Sequence, residues 1–270
     1  MKYILYNPKS NNGLKPYFLS DGNYIDVIGL DYQNFFDNLK KEDEVVLVGG
    51  DGTLNYFINA VDTSKITNNV YLKANGTGND FLNDLDIHDD REVLLNPYLN
   101  NLPTVYVNGI VKKFINGIGY GIDGYCCEVA DKIRETKPNE KINYTSIAIK
   151  GLLFHFKKKK VHIKIDGKEY DYKNVWLTPS MKGRYYGGGM QIAPSQNRLE
   201  DGLSVVVYHG ASKLKTLIIF PNIFKGTHVK YESMTTILKG KDIEVEFNEP
   251  CALQIDGETV LNVKSYKVKL

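Results

Sequence analysis

The segment Gly49-Gly50-Asp51-Gly52-Thr53 interrupts an apolar run, "VVLV" at 45–48, just before a new pattern begins at Leu54. Glycines let backbone N–H groups come close to a ligand. A helix opening behind them offers unpaired N–H groups that favour an anion, phosphate above all. A carboxylate in such a turn repels phosphate unless a cation such as Mg²⁺ lies between the two, or unless it meets a neutral hydroxyl. The turn reads as a seat for a metal-bound nucleotide phosphate. It reads also as an ordinary strand-to-helix turn in which Thr53 caps a helix starting at Leu54. Two further stretches favour the phosphate reading. "NGTGNDF" at 75–81 is a second Gly-rich turn with an acid, Asp80, and a hydroxyl, Thr77, while "NPKSNNG" at 7–13 offers Lys9 and Ser10.

Other candidates are weaker on residues alone. Glu258 follows an Asp-Gly pair in "LQIDGETV", but "IKIDGKEY" at 163–170 has the same form, so spacing makes both plain hairpins. Glu200 and Asp201 lie in "NRLEDGLSV", a solvated turn by its composition. Asp123 ends "GIGYGID", whose glycines lack the spacing that opens a dinucleotide-binding helix; it reads as a turn or water-network residue. "FKKKK" at 156–160 reads as a solvated helix end ahead of a contact with an anionic membrane. The five histidines and Cys126, Cys127 and Cys251 show no metal spacing, and the odd cysteine count argues against a disulfide scaffold.

The elements that must hold these residues change character along the chain. Up to about residue 85 strands alternate with helices, as in "EVVLVGG" followed by Leu54, Phe57, Ile58 and Val61 on one helical face, which predicts a three-layer α/β domain over 1–102. From 103 to 270 the period moves toward 2. In "DIEVEF", Ile243, Val245 and Phe247 share one face and the glutamates the other, predicting an antiparallel β-sandwich or flattened barrel. Helices are expected within 142–160 and 211–224, and the final residues are allowed to pack back on the first domain. The chain has 270 residues, 42% apolar and 24% charged, with a net charge of +2, so no global basic field points to nucleic acid. No apolar run reaches the ~20 residues of a membrane helix, and "MKYILYNPKS" reads as a strand rather than a signal.

The motifs together resemble the bacterial diacylglycerol-kinase-like lipid kinases, whose catalytic domain is shared with sphingosine and ceramide kinases. The resemblance rests on "NPKSN", "GGDGTLN", "GTGNDF", "FINGIGYGID", "GGGMQIAP", "EDGLSV" and "IDGE", in that order, over residues 7–258. It implies an NAD kinase/diacylglycerol kinase-like α/β domain and a kinase moving the γ-phosphoryl of ATP to a lipid hydroxyl, diacylglycerol first, with Mg²⁺. Asn7, Lys9, Ser10, Gly50, Asp51, Gly52, Thr53, Thr77 and Asn79 would line the nucleotide site. Asp51 and Asp80 would lie near the phosphates and their metal, and Glu258 would be the general base. A structural Mg²⁺ would take Asp201 and the carbonyl of Leu203, although Arg198 stands where the family has another acid. With no signal, membrane span or disulfide scaffold the simplest placement is the cytoplasm; a lipid acceptor adds transient contact, peripheral at the inner membrane surface, and a homodimer is expected.

Two departures accompany it: Asn11 replaces a glycine of the first motif, and Ala74-Asn75 precede the second Gly-rich turn in place of a Pro-x pair. The alternatives are an NAD kinase-like enzyme with a small polar acceptor, which shares the Gly-Gly-Asp-Gly-Thr turn, and a nucleotide-binding module without turnover.

Overall fold

The computed structural model describes residues 1–8, 21–76, 78–137 and 142–270. It divides into two compact units, Met1–Leu102 with Gly187–Gly189, and Pro103–Tyr186 with Met190–Leu270.

The first unit runs β1 (Lys2–Tyr6), β2 (Asn23–Asp26), α1 (Tyr32–Asp37), β3 (Glu44–Gly49), α2 (Asp51–Ala60), β4 (Asn69–Ala74), α3 (Asp80–Asp84), β5 (Val93–Leu94) and α4 (Asn96–Leu99). Its sheet has the order β2-β1-β3-β4-β5, parallel except for β5. Val45 to Val48 of the central strand are wholly buried on both faces, as a parallel sheet covered by helices requires. Leu54, Phe57 and Ile58 of α2 are buried with them, on the stripe that their spacing predicts.

The second unit runs β6 (Thr104–Val107), β7 (Ile110–Lys113), β8 (Gly117–Tyr120), α5 (Ile122–Thr136), α6 (Tyr144–Lys150), a π-turn at Gly151–His155, β9 (Lys159–Ile165), β10 (Lys168–Leu177), β11 (Ser180–Met181), β12 (Leu203–His209), α7 (Lys213–Ile219), β13 (Thr235–Gly240), β14 (Asp242–Ile255) and β15 (Glu258–Lys269). All its strand pairs are antiparallel. The long β14 pairs with β9 through Ile243–Phe247 and with β8 through Leu253–Ile255. That change of partner closes the ring β14-β8-β11-β12-β10-β9 into the flattened barrel the alternation predicts. Ile243, Val245 and Phe247 point into its core and Glu244 and Glu246 point out. Phe247 stacks on Tyr120 with ring centroids 4.0 Å apart.

The last strand pairs with β14 and β6. One expectation fails here: the glycines of "GIGYG" do open a helix, the fifteen-residue α5 beginning immediately after Gly121. Its buried residues are Ile122, Gly124, Cys126 and Ala130, the last three small enough to bring the helix against β14. A Cβ on Gly124 would sit 1.9 Å from the carbonyl oxygen of Ala252.

Candidate active site

Strands β1, β3 and β4 end level with one another, Tyr6 opposite Val48 and Gly49 opposite Ala74. The turns that begin at Asn7, Gly50 and Asn75 therefore leave one edge of one sheet, where open α/β sheets bind ligands. The backbone N–H of Asn75 donates to the Gly49 carbonyl at 3.0 Å. A Cβ on Gly76 would lie 2.6 Å from the Cα of Gly50, so the two turns touch backbone to backbone. Around Gly52 the space is open.

Helix α2 starts earlier than the sequence suggests. Gly50 is its N-cap, in extended conformation, so Asp51 lies in the first turn and Thr53 is a buried residue inside it rather than the cap. Thr53 Oγ1 would be 2.4 Å from a Cβ on Gly49, which excludes any larger residue there.

Asp51 is bound across the rim. Its carboxylate accepts the N–H of Asp80 at 2.8 Å and of Phe81 at 2.9 Å, the first amides of α3. It thereby caps α3, whose own N-cap, Asn79, makes no side-chain cap. Asp80 is buried, and its carboxylate accepts the N–H of Gly188 at 2.8 Å and of Gly189 at 2.6 Å. Gly187, Gly188 and Gly189 all have positive φ, 62°, 81° and 102°, a run that only glycine sustains. Asn79 is left-handed at φ 48° and donates Nδ2 to the Gly76 carbonyl at 3.0 Å. Its buried Oδ1 has no hydrogen-bond partner among the described residues, and it faces the Gly50–Gly76 contact. Lys9, Ser10 and Thr77 lie outside the described residues.

In the second unit, Asp256 and Gly257 form the two-residue turn between β14 and β15, with φ of 44° and 94°. The Asp256 carboxylate accepts the N–H of Ile115 at 2.7 Å, Gly117 at 2.9 Å and Asn116 at 3.0 Å. Glu258, exposed at the start of β15, forms an ion pair with Lys112 of β7. Asp123, at the start of α5, accepts a 2.6 Å hydrogen bond from the Tyr186 hydroxyl. Burial pushes the Asp123 carboxyl up to about 7, against which that hydrogen bond works.

The motif-bearing residues 3–105 match the diacylglycerol kinase catalytic domain, and residues 116–266 match the YegS C-terminal NAD kinase beta sandwich-like domain. The chain belongs to the diacylglycerol kinase-like lipid kinase family. A curated diacylglycerol kinase of Mycobacterium tuberculosis (strain CDC 1551 / Oshkosh) is 25% identical over 215 residues, 77% of this chain and 68% of that one. A crystal structure of a diacylglycerol kinase from Bacillus anthracis str. Sterne superposes with a TM-score of 0.69, covering 99% of this chain and 93% of that one at 19% identity; it supports the fold. As a member of this family the chain is a phosphotransferase with an alcohol as acceptor.

In this lipid kinase the residues expected around the structural Mg²⁺ have other partners. Asp201 pairs with Lys241. Arg198 is buried and donates to the Ile115 carbonyl at 3.0 Å and to Asn116 Oδ1 at 3.1 Å. Lys182, also buried, donates to the Glu200 carbonyl at 3.1 Å, and desolvation followed by the neighbouring Arg198 charge lowers its pKa. Leu203 begins β12, paired with Gly240 of β13. The charges of Lys241, Arg198 and Lys182 oppose a divalent cation at Asp201 and the Leu203 carbonyl. Sequence reasoning also missed Lys112, which lies 146 residues from Glu258 and carries no local signal. It gave no role to Gly188 and Gly189, although three glycines in a row were a signal for backbone N–H donors.

Proposed function

We propose that this lipid kinase transfers the γ-phosphoryl group of ATP to the hydroxyl of diacylglycerol. The observation that carries the reading is the bond from the Asp51 carboxylate to the amides of Asp80 and Phe81, which joins two of the motif turns into one rim. Asn7, Gly50, Gly52, Thr53 and Asn79, with Lys9, Ser10 and Thr77, would hold the nucleotide. The open space at Gly52 and the unpaired Asn79 Oδ1 suit a ligand that brings both phosphate oxygens and a hydrogen-bond donor.

Mg²⁺ bound with the nucleotide would supply neutralisation of charge on the phosphoryl oxygens, and Asp51 and Asp80 would hold it. Two fixed carboxylates, Asp51 and Asp80, with substrate phosphates as the other ligands, are a donor set that Mg²⁺ accepts. Their amide partners hold both in place, so no reorganisation is needed at the moment of transfer. Glu258, oriented by Lys112, accepts the proton of the lipid hydroxyl. The hydroxyl oxygen forms a bond to the γ-phosphorus, the bond from that phosphorus to the bridging oxygen breaks, and ADP leaves.

The test is radiolabelled ATP offered with diacylglycerol and other lipid alcohols, and separately with NAD. Label extracted into the organic phase with diacylglycerol is expected. Label on NAD in the aqueous phase, or none in either, overturns the reading.

A further inference from the structure

Among the described residues, the three most exposed large apolar side chains are Phe154 at 73%, Leu214 at 69% and Ile218 at 68%. They stand on two neighbouring elements, the π-turn Gly151–His155 and helix α7. Lys213 Nζ of α7 donates to the Leu153 carbonyl at 2.7 Å and fastens the two together.

Core packing does not account for these side chains. Helix α7 already buries Thr216 and Ile219 in the core, while Leu214 and Ile218, spaced i and i+4, form a second apolar stripe facing out. A helix apolar all round is ordinarily covered on both sides. The π-turn repeats the arrangement. Leu152 is buried, and Gly151 packs so tightly on Tyr125 of α5 that a Cβ would lie 2.6 Å from its ring. Phe154 is turned outward.

Charge selects what covers this face. Residues 142–160 hold five lysines and residues 211–231 four, with no Asp or Glu in either stretch. Lys159 pairs with Glu249 at 2.8 Å, whereas Lys157, Lys158, Lys213 and Lys215 are exposed around the apolar tip, Lys158 and Lys213 meeting only neutral backbone carbonyls, with Lys158 also over the Trp176 ring. An apolar tip ringed by ammonium groups matches the headgroup layer of an anionic bilayer. A second copy of the same face would set lysine against lysine, which opposes self-association there.

We infer that Phe154, Leu214 and Ile218, ringed by these lysines, are the surface on which the protein docks to an anionic lipid bilayer. The inference rests on the lipid-kinase reading for why a bilayer is met at all. Docking brings the acceptor lipid and enzyme to one interface, so the face raises the rate on bilayer-embedded substrate without touching the transferring atoms.

The test compares wild type with the triple variant Phe154→Ser, Leu214→Ser, Ile218→Ser. Sedimentation is measured with vesicles of phosphatidylglycerol and phosphatidylcholine in equal parts, and with phosphatidylcholine alone. Wild type is expected to bind the anionic vesicles in a salt-sensitive manner, and the triple variant at least about tenfold more weakly. Transfer to a short-chain, water-soluble diacylglycerol is expected to be unchanged while transfer to vesicle-embedded diacylglycerol falls. In a separate variant, Leu214→Trp, tryptophan emission is expected to shift to the blue on anionic vesicles. Equal vesicle binding by wild type and the triple variant, or no emission shift, overturns the inference. So does a wild-type dimer that the triple variant converts to monomer, because a second copy then covers the face. Face-dependent vesicle binding with no turnover on either acceptor upholds the docking face and refutes the kinase reading instead.

Discussion

Two hairpins of the second unit share the sequence Ile-Asp-Gly and a backbone. Asp166 and Gly167 turn β9 into β10 with φ of 49° and 83°, as Asp256 and Gly257 turn β14 into β15. In each, the aspartate N–H donates to a carbonyl of an adjoining segment, Asp242 in one and Gly117 in the other. In each, the carboxylate accepts amides back from that segment: Lys241 and Asp242 for Asp166, and Ile115, Asn116 and Gly117 for Asp256. The turn is thus a structural clip used twice. What differs is the following residue, exposed Lys168 in one and Glu258, paired with Lys112, in the other. On the proposed reading, chemistry is a side chain placed on a clip that exists without it.

The comparison breaks most sharply at Glu258. Glu258→Gln is expected to lower the transfer rate at saturating ATP by about 10²–10⁴-fold with an unchanged thermal midpoint, and Lys168→Gln to alter neither. Wild-type initial rates in Glu258→Gln would make the two hairpins equivalent. The clips themselves come next. Asp256→Ala strands three amides and is expected to cost about 3 kcal/mol in urea unfolding, whereas Asp166→Ala, on an exposed turn, costs about 1 kcal/mol. Equal losses would mean that the third amide adds nothing.

Asp123 sharpens the contrast, because it is an aspartate facing a single phenol hydroxyl instead of a row of amides. Below its ordinary value of 3.8 the folded and unfolded chains are both protonated; between there and about 7 only the unfolded chain gives up the proton. Stability therefore falls as pH rises through that window and levels off above it, by about 2 kcal/mol after allowance for partial exposure. Urea unfolding at a series of pH values is expected to show the slope, and Asp123→Asn to remove it. The smallest effect is on the Asp166 side, where Lys241 gives its N–H to Asp166 and its ammonium to Asp201. With its own cations in place, the nucleotide-free protein is expected to melt within about 1 °C of the same temperature with and without EDTA. A larger drop would restore a metal to Asp201.

Much of the frame was legible because it is written locally. The unbroken apolar run 45–48 marked a strand buried on both faces, and alternation in "DIEVEF" marked the barrel wall. Helix α5 was hidden because its buried stripe is made of Cys126 and Ala130 beside a glycine, small residues demanded by close packing on β14 rather than by hydrophobicity. At the site, the motif glycines were legible as places where backbones touch, as Gly50 and Gly76 do. The work of the acids was not. Asp51 looked like a group aimed at a ligand, and its amide partners lie 29 and 30 residues away. Arg198 read as an obstacle to a metal; buried near Lys182, it holds the Ile115 carbonyl and Asn116 Oδ1, contacts no local pattern announces.

The bond from Asp80 to Gly188 spans 108 residues, yet both ends belong to the first unit. On the ribosome, the stretch up to Leu102 emerges and can collapse long before its last three glycines exist. During that interval the Asp80 carboxylate lacks the amides of Gly188 and Gly189. The rim thus matures only when about half of the second unit has been translated, and a chain truncated before Gly188 carries it unfinished.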